Sequence, residues 1–413
     1  MGGCDTVELA KEYGTPLYVM DEAFIRSVCR SYTSALGEYG DGLICYASKA
    51  FSCKEIYRIV NGEGMGADVV SGGELLTAAA AGMPMDKVYF HGNNKTEAEI
   101  TLAVRHKVRA VVIDSLSEID FLQGIAAREV AKANVLIRLC PGIEAHTHKK
   151  VQTATADSKF GCSVADGTAF LAAKKIIAAK NLNYLGLHTH LGSQIFELEP
   201  YEQLADCFVK LAQEIKNKLK AETTEFNMGG GFGVKYTDAD TSIDFGAGIK
   251  HVAKAVKEKA AKAGLKKPFL VFEPGRSIVA EAGITLYTVG AVKDTGIKKY
   301  VAADGGMFEN PRYALYQSKY SAVIANKAGL PQTDKVSVAG KCCESGDIII
   351  GETFLQKAER GDILAVFCTG AYNFSMASNY NRNPVPPVVM VKDGKSRVIV
   401  KGQTFEDMFA RDI

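Results

Sequence analysis

Between residues 43 and 274 the chain repeats one pattern eight times: a short apolar run rich in β-formers ends on a polar residue or glycine, and an Ala/Lys/Glu-rich stretch with helical spacing follows. The runs are Leu43–Ser48, Ala67–Ser71, Lys87–His91, Ala110–Asp114, Val135–Leu139, Leu185–His190, Phe226–Gly231 and Phe269–Glu273. Eight strand-plus-helix units over about 230 residues predict an α/β chain whose main part is a (β/α)8 barrel, a fold that carries its chemistry at the C-terminal ends of its strands. Lys49, His91, Asp114, Arg138, His190 and Glu273 fall at those ends.

Ahead of the barrel, Thr15–Met20 reads as a strand, and Asp21 caps a helix running to about Leu36. After Arg276 helical periodicity fades and β runs dominate: Thr285–Val292, Lys299–Ala303, Val336–Ala339, Ile363–Phe367, Val388–Val391 and Val398–Val400. The expected organisation is an N-terminal segment over residues 1–30 whose strand joins the second domain, a barrel over 31–275, and a C-terminal all-β domain over 276–413. The connection Pro141–Gly161, with His146, His148, Lys149 and Lys150, is long, polar and without periodicity, as functional covers or disordered segments are.

Composition narrows the function classes. At 413 residues two domains are expected, and 47% hydrophobic with 23% charged residues is globular. With 49 basic against 47 acidic residues and no long basic run, neither nucleic acid nor a membrane surface has electrostatic support as a partner. Ten cysteines without a CxxC pair read as reduced thiols of a cytoplasmic enzyme. No apolar stretch approaches the roughly 20 residues that cross a bilayer, and no secretory h-region opens the sequence.

The glycine run Asn227-Met228-Gly229-Gly230-Gly231-Phe232-Gly233 closes the seventh strand, where barrels commonly hold phosphate; a tight turn is the bland alternative. Glu273-Pro274-Gly275-Arg276 closes the eighth and offers a carboxylate for a protonated ring nitrogen and a guanidinium for an anion, or simply an internal ion pair. Lys49 ends the first apolar strand, where partial desolvation frees an amine for Schiff-base chemistry; a snorkelling surface lysine competes. His188 and His190 share one strand face as a metal-binding HxH pair would, but no obvious further ligands complete a set, so no metal is expected and His190 reads as a planar lid over an aromatic cofactor with Ser193 at its phosphate. Cys342-Cys343-Glu344 in the second domain is either a buried thiol pair or a general acid beside a carboxylate. A phosphate loop, a carboxylate and an amine are together the requirements of pyridoxal 5'-phosphate.

The segments YASKAF, GADVVSGGEL, HGNNK, RLCPGIEAHTH, SKFG, GLHTHLGSQI, NMGGGFG, EPGRSIV, ADGG, CCESGD and GAYNFSMASNYN run in order through nearly the whole chain. This ordered set resembles the alanine-racemase-like, fold type III family of pyridoxal-phosphate decarboxylases, specifically those acting on diaminopimelate. The resemblance implies decarboxylation of meso-2,6-diaminopimelate to L-lysine and CO2, the last step of lysine biosynthesis. It makes Lys49 the carrier of the cofactor and places Asp68, His190, Ser193, Gly230, Gly231, Glu273, Gly275, Arg276 and Tyr372 around it. Substrate contacts fall at Arg276, Arg312, Tyr316, Glu344 and Tyr372, and Cys343 matches a proton donor contributed across a homodimer interface. The lysine motif appears here as Ala47-Ser48-Lys49-Ala50-Phe51, and ADGG continues as Met307-Phe308-Glu309-Asn310-Pro311-Arg312. Rival readings are a decarboxylase of ornithine or arginine type, an amino-acid racemase, a carrier of the cofactor without catalysis, and a metal-dependent hydrolase.

Overall fold

The computed structural model describes residues 1–143 and 158–413. The middle of the long polar connection, with His146, His148, Lys149 and Lys150, lies outside the described residues. The chain opens with α1 (Thr6–Tyr13), β1 (Leu17–Asp21) and α2 (Glu22–Gly37). Asp5 caps α1 by accepting from the Val7 and Glu8 N–H groups, and Asp21 Oδ1 accepts from Phe24 N–H at 3.0 Å at the head of α2.

The strands that follow are β2 (Gly42–Ala47), β3 (Gly66–Val69), β4 (Val88–Phe90), β5 (Ala110–Ile113), β6 (Ala133–Cys140), the two-residue β7 (Cys162–Ser163) beside β6, β8 (Leu182–His188), β9 (Glu225–Asn227) and β10 (Phe269–Phe272). Every strand, β7 included, is parallel to its neighbours, and β10 returns to pair with β2, closing the barrel that the repeating pattern predicts. Between and after the strands run α3 (Lys54–Gly62), α4 (Gly72–Ala80), α5 (Glu97–Arg105), α6 (Leu116–Arg128), α7 (Thr168–Ala178), α8 (Glu199–Leu219) and α9 (Phe245–Lys262). Ser71, Ser115 and Asp244 each cap a helix through the N–H three residues on, and Thr96 with Glu99 forms a capping box on α5.

Strands covered on both faces have no polar face to show, which is why β3, β4 and β5 are buried throughout. Cys45, Tyr89, Ala110, Val112, Leu136 and Val271 pack inside the barrel. A polar plug joins them: Tyr89 Oη donates to Glu225 Oε1 at 2.6 Å, and Arg109 Nη2 meets Glu225 Oε2 at 2.7 Å.

The chain divides into two compact units, the barrel over Val28–Gly233 and Ser242–Gly275, and a second unit over Met1–Ser27, Val234–Thr241 and Arg276–Ile413. The second unit holds α10 (Arg276–Val279), β11 (Gly283–Asp294), β12 (Lys299–Ala303), α11 (Arg312–Tyr316), β13 (Ala322–Ile324), β14 (Asp334–Ala339), β15 (Ile348–Leu355), β16 (Ile363–Val366), β17 (Val388–Lys392), β18 (Lys395–Val400) and α12 (Phe405–Phe409). Its sheet runs β15–β14–β12–β11–β1–β17–β18, with β16 joining β11 to β13. Within it β1 lies antiparallel to β11 and parallel to β17. Leu9, Leu17, Val19, Leu286, Val389 and Val391 form the core under that centre.

Candidate active site

All eight barrel strands bring a hydrogen-bonding side chain to the C-terminal end. They are Lys49 after β2, Asp68 in β3, His91 after β4, Asp114 after β5, Arg138 in β6, His188 ending β8, Asn227 ending β9 and Glu273 after β10. Seven of them are buried, and Lys49 is the exposed member. The sequence leads one to expect a partly desolvated amine there; in the structure Lys49 lies in a 3-10 turn over Ser48–Ala50 and is exposed. Its charge is nonetheless felt by Asp68, Glu74 and His190.

Glu273 is the centre of the buried set. Asn227 Nδ2 donates to Oε1 at 2.6 Å, His188 Nε2 lies 3.1 Å from Oε2, and His91 Nε2 lies 2.9 Å from Oε1. The two imidazole rings meet edge to face at 4.7 Å. Burial opposes charge on Glu273, yet His91 and His188 hold its acid well below the ordinary carboxylate range. Burial also acts against a charged His91, but Glu273 and Asp68 lift that imidazole above its usual value. His188 is pulled down to about 4, by burial first. Asp68 is pushed up to about 6, again by burial, with Glu273 adding to the effect. The surroundings therefore favour charge on Glu273 and on His91, and the neutral form of His188.

The HxH pair does not act as a pair. His188 turns to Glu273, whereas His190 Nδ1 accepts from Gly230 N–H at 3.3 Å. Among the described residues one set of three does converge that the sequence left unseen: ring nitrogens of His91 and His188 and an oxygen of Glu273 lie within 4.8 Å of one another. The separations of 2.9 and 3.1 Å to Glu273 are those of imidazole–carboxylate pairing.

The glycine loop packs flat on the neighbouring strand ends. A Cβ on Gly229 would stand 2.4 Å from Thr189 O, and one on Gly230 2.0 Å from Glu273 O. Two of its N–H groups already have protein acceptors, Gly229 donating to Asn227 Oδ1 within the loop and Gly230 to His190 after β8. Gly275, where a Cβ would meet Ala47 at 2.8 Å, sits equally close to its neighbour, and Ser193 is half-buried.

A second group of the expected residues comes together within the second unit. Arg276 Nη1 donates to Tyr236 Oη at 2.6 Å, and its guanidinium lies 4.7 Å from the Tyr372 ring centre. Arg312 lies 5.7, 5.7 and 5.6 Å from the rings of Tyr236, Tyr316 and Tyr372 and donates to Ser318 Oγ at 3.1 Å. Arg312 is buried, and its Nε has no hydrogen-bond partner among the described residues. Two cations gathered on tyrosine faces suit an anionic ligand group. Sequence reading missed Tyr236, a lone tyrosine in a loop with no motif around it. Cys343 and Glu344 stand apart in an exposed turn, where Cys343 N–H donates to Asn381 Oδ1 at 2.8 Å. Of the two readings of this segment, the buried thiol pair is not found: Cys342 is half-buried and Cys343 exposed.

A buried carboxylate whose acid is held low, an accessible amine and buried polar atoms still unpartnered, among them Asp68 Oδ1 and His188 Nδ1, fit pyridoxal 5'-phosphate at the barrel mouth. Fold and site thus define the class of barrel-borne pyridoxal-phosphate enzymes. Comparison with known proteins narrows it. The family described as "Pyridoxal-dependent decarboxylase, pyridoxal binding domain" matches residues 23–280. Diaminopimelate decarboxylase of Bacillus methanolicus is 46% identical over 97% of this chain and 93% of its own, and that of Bacillus subtilis 43% over 100% and 94%. The crystal structure of the M. jannaschii diaminopimelate decarboxylase in co-complex with L-lysine superposes with a TM-score of 0.90 at 34% identity, covering 98% of this chain and 94% of that one. The chain belongs to the pyridoxal-dependent decarboxylases and, within them, to the diaminopimelate decarboxylase family.

Proposed function

We propose that this chain catalyses the pyridoxal-phosphate-dependent decarboxylation of meso-2,6-diaminopimelate to L-lysine and CO2, as a homodimer in the cytoplasm. The observation that carries this reading is likeness over the full chain to diaminopimelate decarboxylases at 43% and 46% identity. In line with a cytoplasmic enzyme, no helix among the described residues is long and apolar enough to cross a membrane.

When bound, pyridoxal phosphate supplies the aldehyde that joins the substrate amine and the ring that accepts the electron pair left by CO2. Lys49 would hold the cofactor through its amine. Glu273, kept ionised by its histidines, keeps a proton on the ring nitrogen, so charge is stabilised where it develops. His190 and Asp68 would hold the ring, and Ser193, Gly230, Gly231, Gly275 and Arg276 would hold the phosphate with Tyr372.

For the substrate, Arg276 and Arg312 hold the distal carboxylate with Tyr316 and Tyr372 around them, and Glu344 holds the distal ammonium. A diamine such as ornithine leaves those buried cations without an anion, a cost of several kcal/mol. Cys343 returns the proton to Cα, delivered from the other subunit of the dimer.

The test is CO2 release by the purified, cofactor-loaded protein from meso-diaminopimelate beside L-ornithine and L-arginine, with alanine racemisation assayed in parallel. Turnover of meso-diaminopimelate alone is expected. Equal or better kcat/KM on ornithine would overturn the substrate assignment.

A further inference from the structure

A buried carboxylate in the second unit ties together two loops that the proposed chemistry uses separately. Asp347 stands just before β15 and is 3% exposed. Its Oδ1 accepts from Met307 N–H and its Oδ2 from Cys342 N–H, both at 2.6 Å. Backbone bonds run alongside: Gly340 N–H donates to Asp347 O at 2.9 Å, Lys341 N–H to Gly305 O at 2.9 Å, and Asp347 N–H to Glu344 O at 3.0 Å. Glycines make the approach possible, since a Cβ on Gly306 would stand 2.5 Å, and one on Gly340 2.3 Å, from the carboxylate oxygens.

What each loop carries gives the contact its meaning. On one side Cys342 leads directly to Cys343 and Glu344. On the other, Met307 begins the turn in which Gly306 O accepts from Glu309 and Asn310 N–H at 3.1 and 2.9 Å, and that turn delivers Pro311 and α11 with Arg312 and Tyr316. Each oxygen is committed to one loop, so the carboxylate, together with the Lys341–Gly305 backbone bond, fixes how far apart the loops stand.

We propose that Asp347 is a positioning residue of the reaction: by holding Met307 and Cys342 on its two oxygens, it sets where Cys343 and Glu344 stand relative to Arg312. The proposal rests on the roles given above to those three residues. A carboxylate that served only stability would leave the turnover of folded enzyme unchanged when replaced, whereas a positioning role moves kcat and the environment of the Cys343 thiol.

Asp347→Asn keeps the shape but sets an amide NH2 against one of the two N–H groups. In cofactor-loaded enzyme, kcat on meso-diaminopimelate should fall tenfold or more, roughly hundredfold at most for a misplacement near 1 Å. The rate of Cys343 alkylation by iodoacetamide, separated from Cys342 by peptide mapping, should change several-fold, while the visible spectrum of the bound cofactor stays as in the wild type. Gly340→Ala, which presses on the carboxylate from outside, should lower kcat in the same direction and serves if the Asn variant folds poorly. Wild-type kcat and alkylation rate in either folded variant would overturn the proposal. Wild-type turnover by Cys343→Ala would instead overturn the proton-donor reading beneath it, which separates the two failures.

Discussion

Glu273 is engaged on both oxygens by Asn227, His188 and His91, all from barrel strands other than its own. Replacing its charge without changing its shape therefore isolates what the charge does. If the carboxylate contributes about 4 kcal/mol at the ring nitrogen, Glu273→Gln should lower kcat about a thousandfold while cofactor absorbance persists. Rapid-mixing turnover on the loaded variant checks this, and a loss under tenfold would remove Glu273 from that role. Lys49→Ala should abolish both turnover and the cofactor mass fixed on the chain by borohydride, read by mass spectrometry of the intact protein. Lys49 and Glu273 were legible because each ends an apolar run, and a polar residue there has few uses other than chemistry. The grip of His188 and Asn227 on Glu273 was not, because those partners lie 85 and 46 residues away and meet only when the barrel closes.

Among the elements, the barrel strands were the easiest to read, since strands buried on both faces leave continuous apolar runs with sharp polar ends. The second unit was harder. β15 escaped notice because its run of isoleucines breaks at Gly351 and Glu352, and the break has a packing cause: a Cβ at position 351 would stand 2.2 Å from Tyr313 Oη. β13 is only three residues long, and α1 is a short helix whose Asp5 cap drew no attention beside an apolar-poor start. The polar plug inside the barrel offers a test of closure at this scale. Glu225 is buried against Arg109 and Tyr89, so Glu225→Ala leaves a cation without its counter-charge. It should cost about 3–5 kcal/mol of stability, read as a lower urea midpoint. A midpoint unchanged from wild type would mean that water replaces the carboxylate at no cost.

For the whole molecule, the segment after ADGG supplies a pH dependence. Glu309 is fully buried and takes hydrogen bonds from Tyr287 Oη at 2.9 and 3.1 Å and from Gly306 N–H at 2.9 Å. Burial pushes its acid from an ordinary 4.5 up to about 8. Between those values the folded chain keeps a proton that the unfolded chain has lost, so this group's contribution is complete below about 4.5 and fades as pH rises through about 8. Thermal midpoints should decline over that window, and Glu309→Gln should flatten the decline; parallel slopes in the two proteins would refute the assignment. Sedimentation of the purified protein should give a dimer, and a concentration-independent monomer with full activity would contradict delivery of Cys343 by a second subunit.

An interior strand of the second sheet, β1, has β11 on one side and β17 on the other, neighbours that ribosomes produce only after the entire barrel has been made. A nascent chain must therefore shelter a ready-made strand edge throughout elongation, and premature termination ahead of β17 leaves that edge open to pair with other molecules. A chain cut short between β11 and β17 should therefore self-associate through the open edge of β1.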